Sequence, residues 1–387
     1  VAVPVLRLPA LDLAAPDHHS ASTSAAEGRL AGGELVHAGN RAHHLARGHR
    51  LVMMKIPINE EETNMQPPIN RRRRQLLAAS GSALAFGVPF AQSAYPNRPV
   101  EIVVPAGAGG GTDVLARAFA EAAKKHFPQP FTVVNRPGAS GMIGHGEMIN
   151  AKPDGYKLAM VFAEIVIVPH LGLTKLSYED FAPIALLNTD PAAITVRAEA
   201  PWKTIDEFIA DSRKKNGEMK MGNSGSGSIW HLAHSAIEAK AGVKYTAVPF
   251  GGAAPAAVAL LGGHIDAVAV SPAEVAAQVQ AGKLRMLAVA ADKRLRGFDQ
   301  VPTLRERGID ISLATWRGLA APKGTPPEII GMLGDVARKA VEEPVIKEVT
   351  DRLSMGLGYV DAEGFRAMMK RDNDTYRALV QQLGLKG

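Results

Sequence analysis

Three stretches of this chain place glycine and hydroxyl residues directly after an apolar run: residues 105–113, 222–228 and 250–255. In the first, the β-branched run Val100–Val104 reads as a buried strand. Pro105 stops it, and Ala106, Gly107, Ala108, Gly109 and Gly110 form a turn into a helix that Thr112 or Asp113 can cap. Such a junction leaves backbone N–H groups pointing at one spot, with the positive end of a helix dipole behind them. The chemistry it suits is the holding of an anion. The second stretch adds the amide of Asn223, the turn at Gly227 and the hydroxyls of Ser224, Ser226 and Ser228. The third offers Gly252, Ala253 and Ala254 at another helix start. If these bends lie on facing lobes, a small carboxylate can be clasped between them.

Rival chemistries fit less well. Gly107 to Thr112 begins like a dinucleotide fingerprint, but Thr stands at the last glycine position and Asn135 stands where a ribose-binding acid is expected. No Lys follows the glycines, which excludes a phosphate loop of the Walker type. Gly222-Asn223-Ser224-Gly225-Ser226 misses the final glycine of a serine-hydrolase elbow. His231 and His234 share a helix but lack an acidic third ligand and the spacing of a zinc motif. Glu164, just after the strand at 157–162, is placed to meet a cationic ligand group or to sit in a surface loop. Trp316 either stacks on ligand or fills the seam between lobes, and the core reading is favoured. Met332, Met355, Met368 and Met369 read as core, and Lys283 with Arg285 as a solvated edge.

The elements that must hold these bends alternate. Strands are expected at 100–104, 131–135, 157–162, 181–187, 193–196, 219–221, 246–249, 265–270, 284–290 and 316–321. Helices are expected at 112–126, 142–151, 201–214, 229–240, up to Leu261, at 272–281, 326–342 and 361–383, with Thr204 and Glu207 forming a capping box. This is the text of an α/β fold with two mostly parallel sheets, which bind ligands at the carboxyl ends of their strands.

The chain has 387 residues and no Cys, so it has no disulfide, no thiolate nucleophile and no Cys-ligated metal. Its net charge of +6 is only weakly basic, and no basic stripe interleaved with aromatics suggests nucleic acid. Residues 1–70 read as a disordered extension, or as upstream sequence with Met53, Met54 or Met65 as the true start. Residues 71–93 read as a signal peptide: four arginines, a small-residue apolar stretch, then Ala91-Gln92-Ser93 for cleavage before Ala94. The Arg73-Arg74 pair resembles a twin-arginine signal. Periplasmic localisation follows from that reading.

Further short stretches recur in order through the chain: Tyr95-Pro96-Asn97-Arg98-Pro99, Pro105 through Gly109-Gly110 to Asp113, Asn135-Arg136-Pro137-Gly138-Ala139, Pro153-Asp154-Gly155-Tyr156, Asp180-Phe181-Ala182-Pro183-Ile184, Gly252-Ala253-Ala254-Pro255-Ala256, Val301-Pro302-Thr303 and Trp316-Arg317-Gly318. With them, residues 95 to 387 resemble the exported solute-binding proteins of tripartite tricarboxylate transporters, the Bug or TctC family. The resemblance implies a two-lobed periplasmic-binding fold of type II with a two-crossover hinge, here residues 94–196 with 316–387 as one lobe and 197–315 as the other. It implies no catalysis and no cofactor. It implies a small carboxylate held between the loop Ala106 to Gly110 and the loops at 223–228 and 252–254, partly through water, and delivered by a monomer to the membrane permease subunits. Ser271 is included in the candidate ligand-binding set. Ala106 stands where the family commonly has a bulky apolar residue, and Phe162 and Glu164 stand where small or hydroxyl residues are usual.

Overall fold

The computed structural model describes residues 95–385. The extension and export signal expected at 1–93 lie outside the described residues.

The chain opens with β1 (Val100–Val104), α1 (Gly111–Ala123), β2 (Phe131–Asn135), α2 (Met142–Ile149), β3 (Lys157–Phe162) and β4 (Phe181–Pro191). It crosses at Ala192 into β5 (Ala193–Arg197), then runs through α3 (Ile205–Lys215), β6 (Lys220–Asn223), α4 (Ile229–Ala241), β7 (Thr246–Pro249), α5 (Ala253–Leu261), β8 (Ala267–Val270), α6 (Pro272–Gln280) and β9 (Leu284–Val289). It returns through β10 (Ala314–Pro322) and closes with α7 (Pro327–Ala340), α8 (Pro344–Leu353), β11 (Leu357–Val360) and α9 (Ala362–Gln382). Two sheets result. The first is six-stranded in the order β11-β4-β10-β3-β1-β2, and the second is five-stranded in the order β7-β6-β8-β5-β9.

Burial explains why these segments form. In β1, Val100, Ile102, Val103 and Val104 are fully covered, because helices pack on both faces of the sheet. In α1, Leu115, Phe119, Ala122 and Ala123 recur at helical spacing and are buried, whereas Glu121 and Lys124 face water. The capping box at α3 is formed: Thr204 accepts from the Glu207 amide at 3.2 Å, and Glu207 accepts from the Thr204 amide at 3.2 Å. Thr204→Ala is expected to lower stability by about 1 kcal/mol in urea unfolding.

The sheets are mixed rather than mostly parallel. β1 runs parallel to β2 and β3, and β6 runs parallel to β7 and β8, whereas β10 is antiparallel to β3 and β4, and β5 is antiparallel to β8 and β9. The reason is the pair of crossings. A strand entering a sheet directly from the other one starts where its neighbours end, so it must run against them. The same pairing corrects a boundary: Ala193–Arg197 belongs to the second sheet, and the chain leaves the first sheet at Ala192. Two further elements, α8 and β11, lie between the helices expected at 326–342 and 361–383. No helix among the described residues is long and apolar enough to cross a membrane.

Candidate functional site

The carboxyl ends of β1, β3 and β6 open on one cavity of about 420 Å³, and residues from both sheets' sides line it. Of the candidate residues, Ala106, Gly107, Gly110, Glu164, Ser224, Ser226, Gly252, Ala253 and Ala254 are on its wall. The three bends singled out in the sequence therefore do meet.

The others do not line it, for local reasons. Ala108 and Gly109 are exposed on the outer side of the turn, where Gly109 has φ +79° and its amide donates to Asp113 Oδ2 at 2.9 Å. Asn223 turns its Oδ1 back to the Gly225 amide at 2.9 Å. The Gly227 amide donates to His231 Nδ1 at 3.1 Å, and Ser228 is buried as the cap of α4, accepting from the His231 amide at 3.2 Å. Ser271 donates to Asp190 Oδ2 at 2.8 Å and caps α6. Trp316 is core: its Nε1 donates to Asp372 at 3.0 Å and its ring stands edge-on to Phe365. His231 and His234 touch ring to ring, and no group of side chains suited to a metal ion occurs among the described residues.

Among the wall residues that were not foreseen, four shape the site. The first is Ser140, in a turn flanked by Gly138 and Gly141; its hydroxyl donates to the Ser226 carbonyl at 2.9 Å, joining the two halves. Gly141 has φ +88°, and a Cβ there would meet the Phe162 ring at 2.5 Å, so only glycine lets this turn close over the wall. The glycine pair after β2 was the signal available for this fourth junction. The second is Arg317, whose Nη1 donates to Asp190 Oδ2 and to Asn188 Oδ1, both at 2.5 Å, and whose Nε donates to Thr112 at 3.0 Å. The third is Glu274, in the first turn of α6. The fourth is Trp230, on α4.

The two glutamates change the reading of the anion cradles. Glu274 Oε1 accepts the Gly111 amide at 2.8 Å, so a carboxylate from the second half occupies the start of α1 in the first. Glu164 Oε1 accepts the Ile229 amide at 3.2 Å, so a carboxylate from the first half occupies the start of α4 in the second. Burial pushes the Glu164 carboxyl up to about 7, against the opposing pull of the Ile229 amide and Arg317. Burial raises Glu274 as well, with Arg317 and the Gly111 amide opposing. The start of α5 differs. Its cap is Gly252, it has no side-chain cap and no acid in its first turn, and no described residue accepts from the amides of Gly252, Ala253 or Ala254. Of the helix starts at the three bends read from the sequence, this is the one whose first turn is met by no carboxylate among the described residues.

Residues 115–385 match the family described as the tripartite tricarboxylate transporter family receptor, TctC. The chain belongs to the TctC family. A protein in the gbd 5′ region of Cupriavidus necator is 35% identical over 315 residues, 80% of this chain and 95% of the relative. A TctC solute binding protein from Polaromonas, solved with no ligand, is 55% identical, with a TM-score of 0.59 over 74% of this chain and 99% of that one. The periplasmic binding protein BugD is 30% identical, with a TM-score of 0.72 over 76% of this chain and 99% of that one. Two more distant members come from Rhodopseudomonas palustris. One, solved with adipate, is 27% identical with a TM-score of 0.72 over 76% of this chain and 99% of its own, and MatC, solved with malate, is 26% identical with a TM-score of 0.70 over 74% and 100%. TctC members are solute-binding receptors of the periplasmic-binding type and not enzymes, and the fold of this chain is theirs.

Proposed function

We propose that this TctC protein is exported, captures a small carboxylate in the cavity between its two halves, and hands it to the membrane permease of a tripartite tricarboxylate-type transporter. The observation that carries the reading is that the open start of α5 and the hydroxyls of Ser224 and Ser226 lie on the wall of one cavity. Those donors suit a carboxylate, and hydrogen bonds to a charged group contribute about 1.5–3 kcal/mol each. Three such bonds, offset by ordering costs, fall in the micromolar range, about −8 kcal/mol.

Capture requires two arrangements of the halves, with the ligand favouring one. The crossed contacts Glu164–Ile229, Glu274–Gly111 and Ser140–Ser226 hold the halves together in this structure.

The test is calorimetric titration of the purified protein with mono- and dicarboxylates, repeated on Ser224→Ala with Ser226→Ala. At least one acid is expected to bind, and the double variant is expected to bind it at least tenfold more weakly with unchanged unfolding. Affinity untouched by the two substitutions would show that the serine bend is not the carboxylate seat.

A further inference from the structure

Resting on the carboxylate reading just given, we infer that the solute is a zwitterion: its carboxylate sits at the start of α5, and a cationic nitrogen on the same molecule faces Glu164 and Glu274. The charged residues on the cavity wall are Glu164, Glu274 and Arg317. Arg317 is already answered, because Asp190 lies directly behind it at 2.5 Å and is itself fully buried. Neither glutamate forms an ion pair among the described residues; each has a single amide of a neighbouring helix as its hydrogen-bond partner from another residue. Arg317 stands against three carboxyl groups, those of Asp190, Glu164 and Glu274, so once the glutamates are ionised the site carries an excess of negative charge.

A solute carrying only carboxylates would add like charges to that excess at short range. A solute with an ammonium or similar group reverses the sign. It gives the glutamates the partner they lack and leaves the uncapped amides of Gly252, Ala253 and Ala254 for its acid end. The remaining wall favours the same answer. Phe162, Trp230 and Phe250 present aromatic surface to the cavity, and a cation is attracted to aromatic faces while a carboxylate is not. The two glutamates thereby acquire distinct work: they hold the halves together through the helix amides, and they sort solutes by charge.

The experiment compares matched acids that differ only by an amino group. The purified protein is titrated at neutral pH with aspartate against succinate, 2-aminoadipate against adipate, and 4-aminobutyrate against butyrate. The amino member is expected to bind at least tenfold more tightly in one pair or more. Glu164→Gln and Glu274→Gln, checked for folding by circular dichroism, should each shrink that ratio by weakening the amino member while the plain acid holds or gains affinity. Plain acids that bind as tightly as their amino partners in every pair would overturn this inference and leave the carboxylate reading standing. Silence from all six compounds would overturn the carboxylate reading and this inference with it. The comparison within each pair uses the unmodified protein, so it does not depend on how the variants fold.

Discussion

Asp190→Ala is expected to lower folding stability by about 3–5 kcal/mol, the usual loss when one partner of a buried ion pair is removed. Asp190 is fully buried and saturated. Its Oδ2 accepts from Arg317 Nη1 at 2.5 Å and from the Ser271 hydroxyl at 2.8 Å, and its Oδ1 accepts from Asn188 Nδ2 and the Gly356 amide, both at 2.9 Å. Without it, Arg317, 3% exposed, loses its ion-pair partner. The location adds to the effect. Asp190 stands at the end of β4, just before the chain leaves the first sheet, Arg317 stands on β10, just after the chain returns, and Ser271 comes from the second half. The pair therefore ties both crossings to each other, and its loss should loosen the hinge as well as the core. In urea unfolding the midpoint should fall with little change in slope. The double variant Asp190→Asn with Arg317→Met should recover part of the loss, because it removes the stranded charge. A fall below about 1 kcal/mol for Asp190→Ala would mean the pair is a bystander.

The contrast between what the sequence disclosed and what it hid follows from range. A glycine bend after a β-branched run is a local signal, so all three bends could be read from their own residues, and each puts at least one residue on the cavity wall. The side chains that finish the site are set by partners far along the chain. Glu274 sits in the first turn of α6, where an acid is read as complementing its own helix dipole; its actual partner amide, at Gly111, is 163 residues away. Arg317 shows in the sequence only as an odd charge in an apolar run, and Asp190 is 127 residues away. Strand direction was lost for a related reason, since alternation of strand and helix says nothing about which strands cross between sheets. The misses near the end of the chain are local ones. The expected helix ended at 342 with nothing read after it, yet Pro344 occupies the first turn of α8, where a missing N–H costs nothing. β11 is four half-buried residues with Gly358 among them, too short and too mixed to stand out.

Acid should unfold the protein in large part through two buried histidines, opposed by glutamates that burial raises, Glu164 among them. His145 on α2 is fully buried against Phe162 and Phe181, and neither of its ring nitrogens has a hydrogen-bond partner among the described residues. Burial pulls its pKa down to about 3, and burial followed by the neighbouring His231 does the same to His234. Both are neutral in the folded state, and in the unfolded chain each takes a proton near pH 6.5. Their contribution is therefore complete above about pH 6.5 and is lost as pH falls from there to about 3, on the order of 4–5 kcal/mol each. Glu164 has the opposite sign. Its folded pKa of about 7 lies above the ordinary 4.5, so its contribution is full below 4.5 and lost as pH rises through 7, on the order of 3 kcal/mol. Glu274, which burial also raises, has the same sign as Glu164, and below about pH 4.5 the lowered carboxyls of Asp113 and Glu147 add to the histidines' loss. Stability should thus fall most steeply below about pH 4.5. His145→Leu isolates one contribution: measured by urea unfolding at pH 7, 6, 5 and 4, its stability relative to the parent should climb as pH falls. At pH 7 it should be near the parent's, because the two unpaired nitrogens it removes offset the volume it loses. Glu164→Gln should do the reverse between pH 7 and 4.5, falling away from the parent as the regained contribution disappears. Parallel pH profiles for His145→Leu and the parent would mean that His145 titrates normally in the folded protein, and the burial argument would fail at its root.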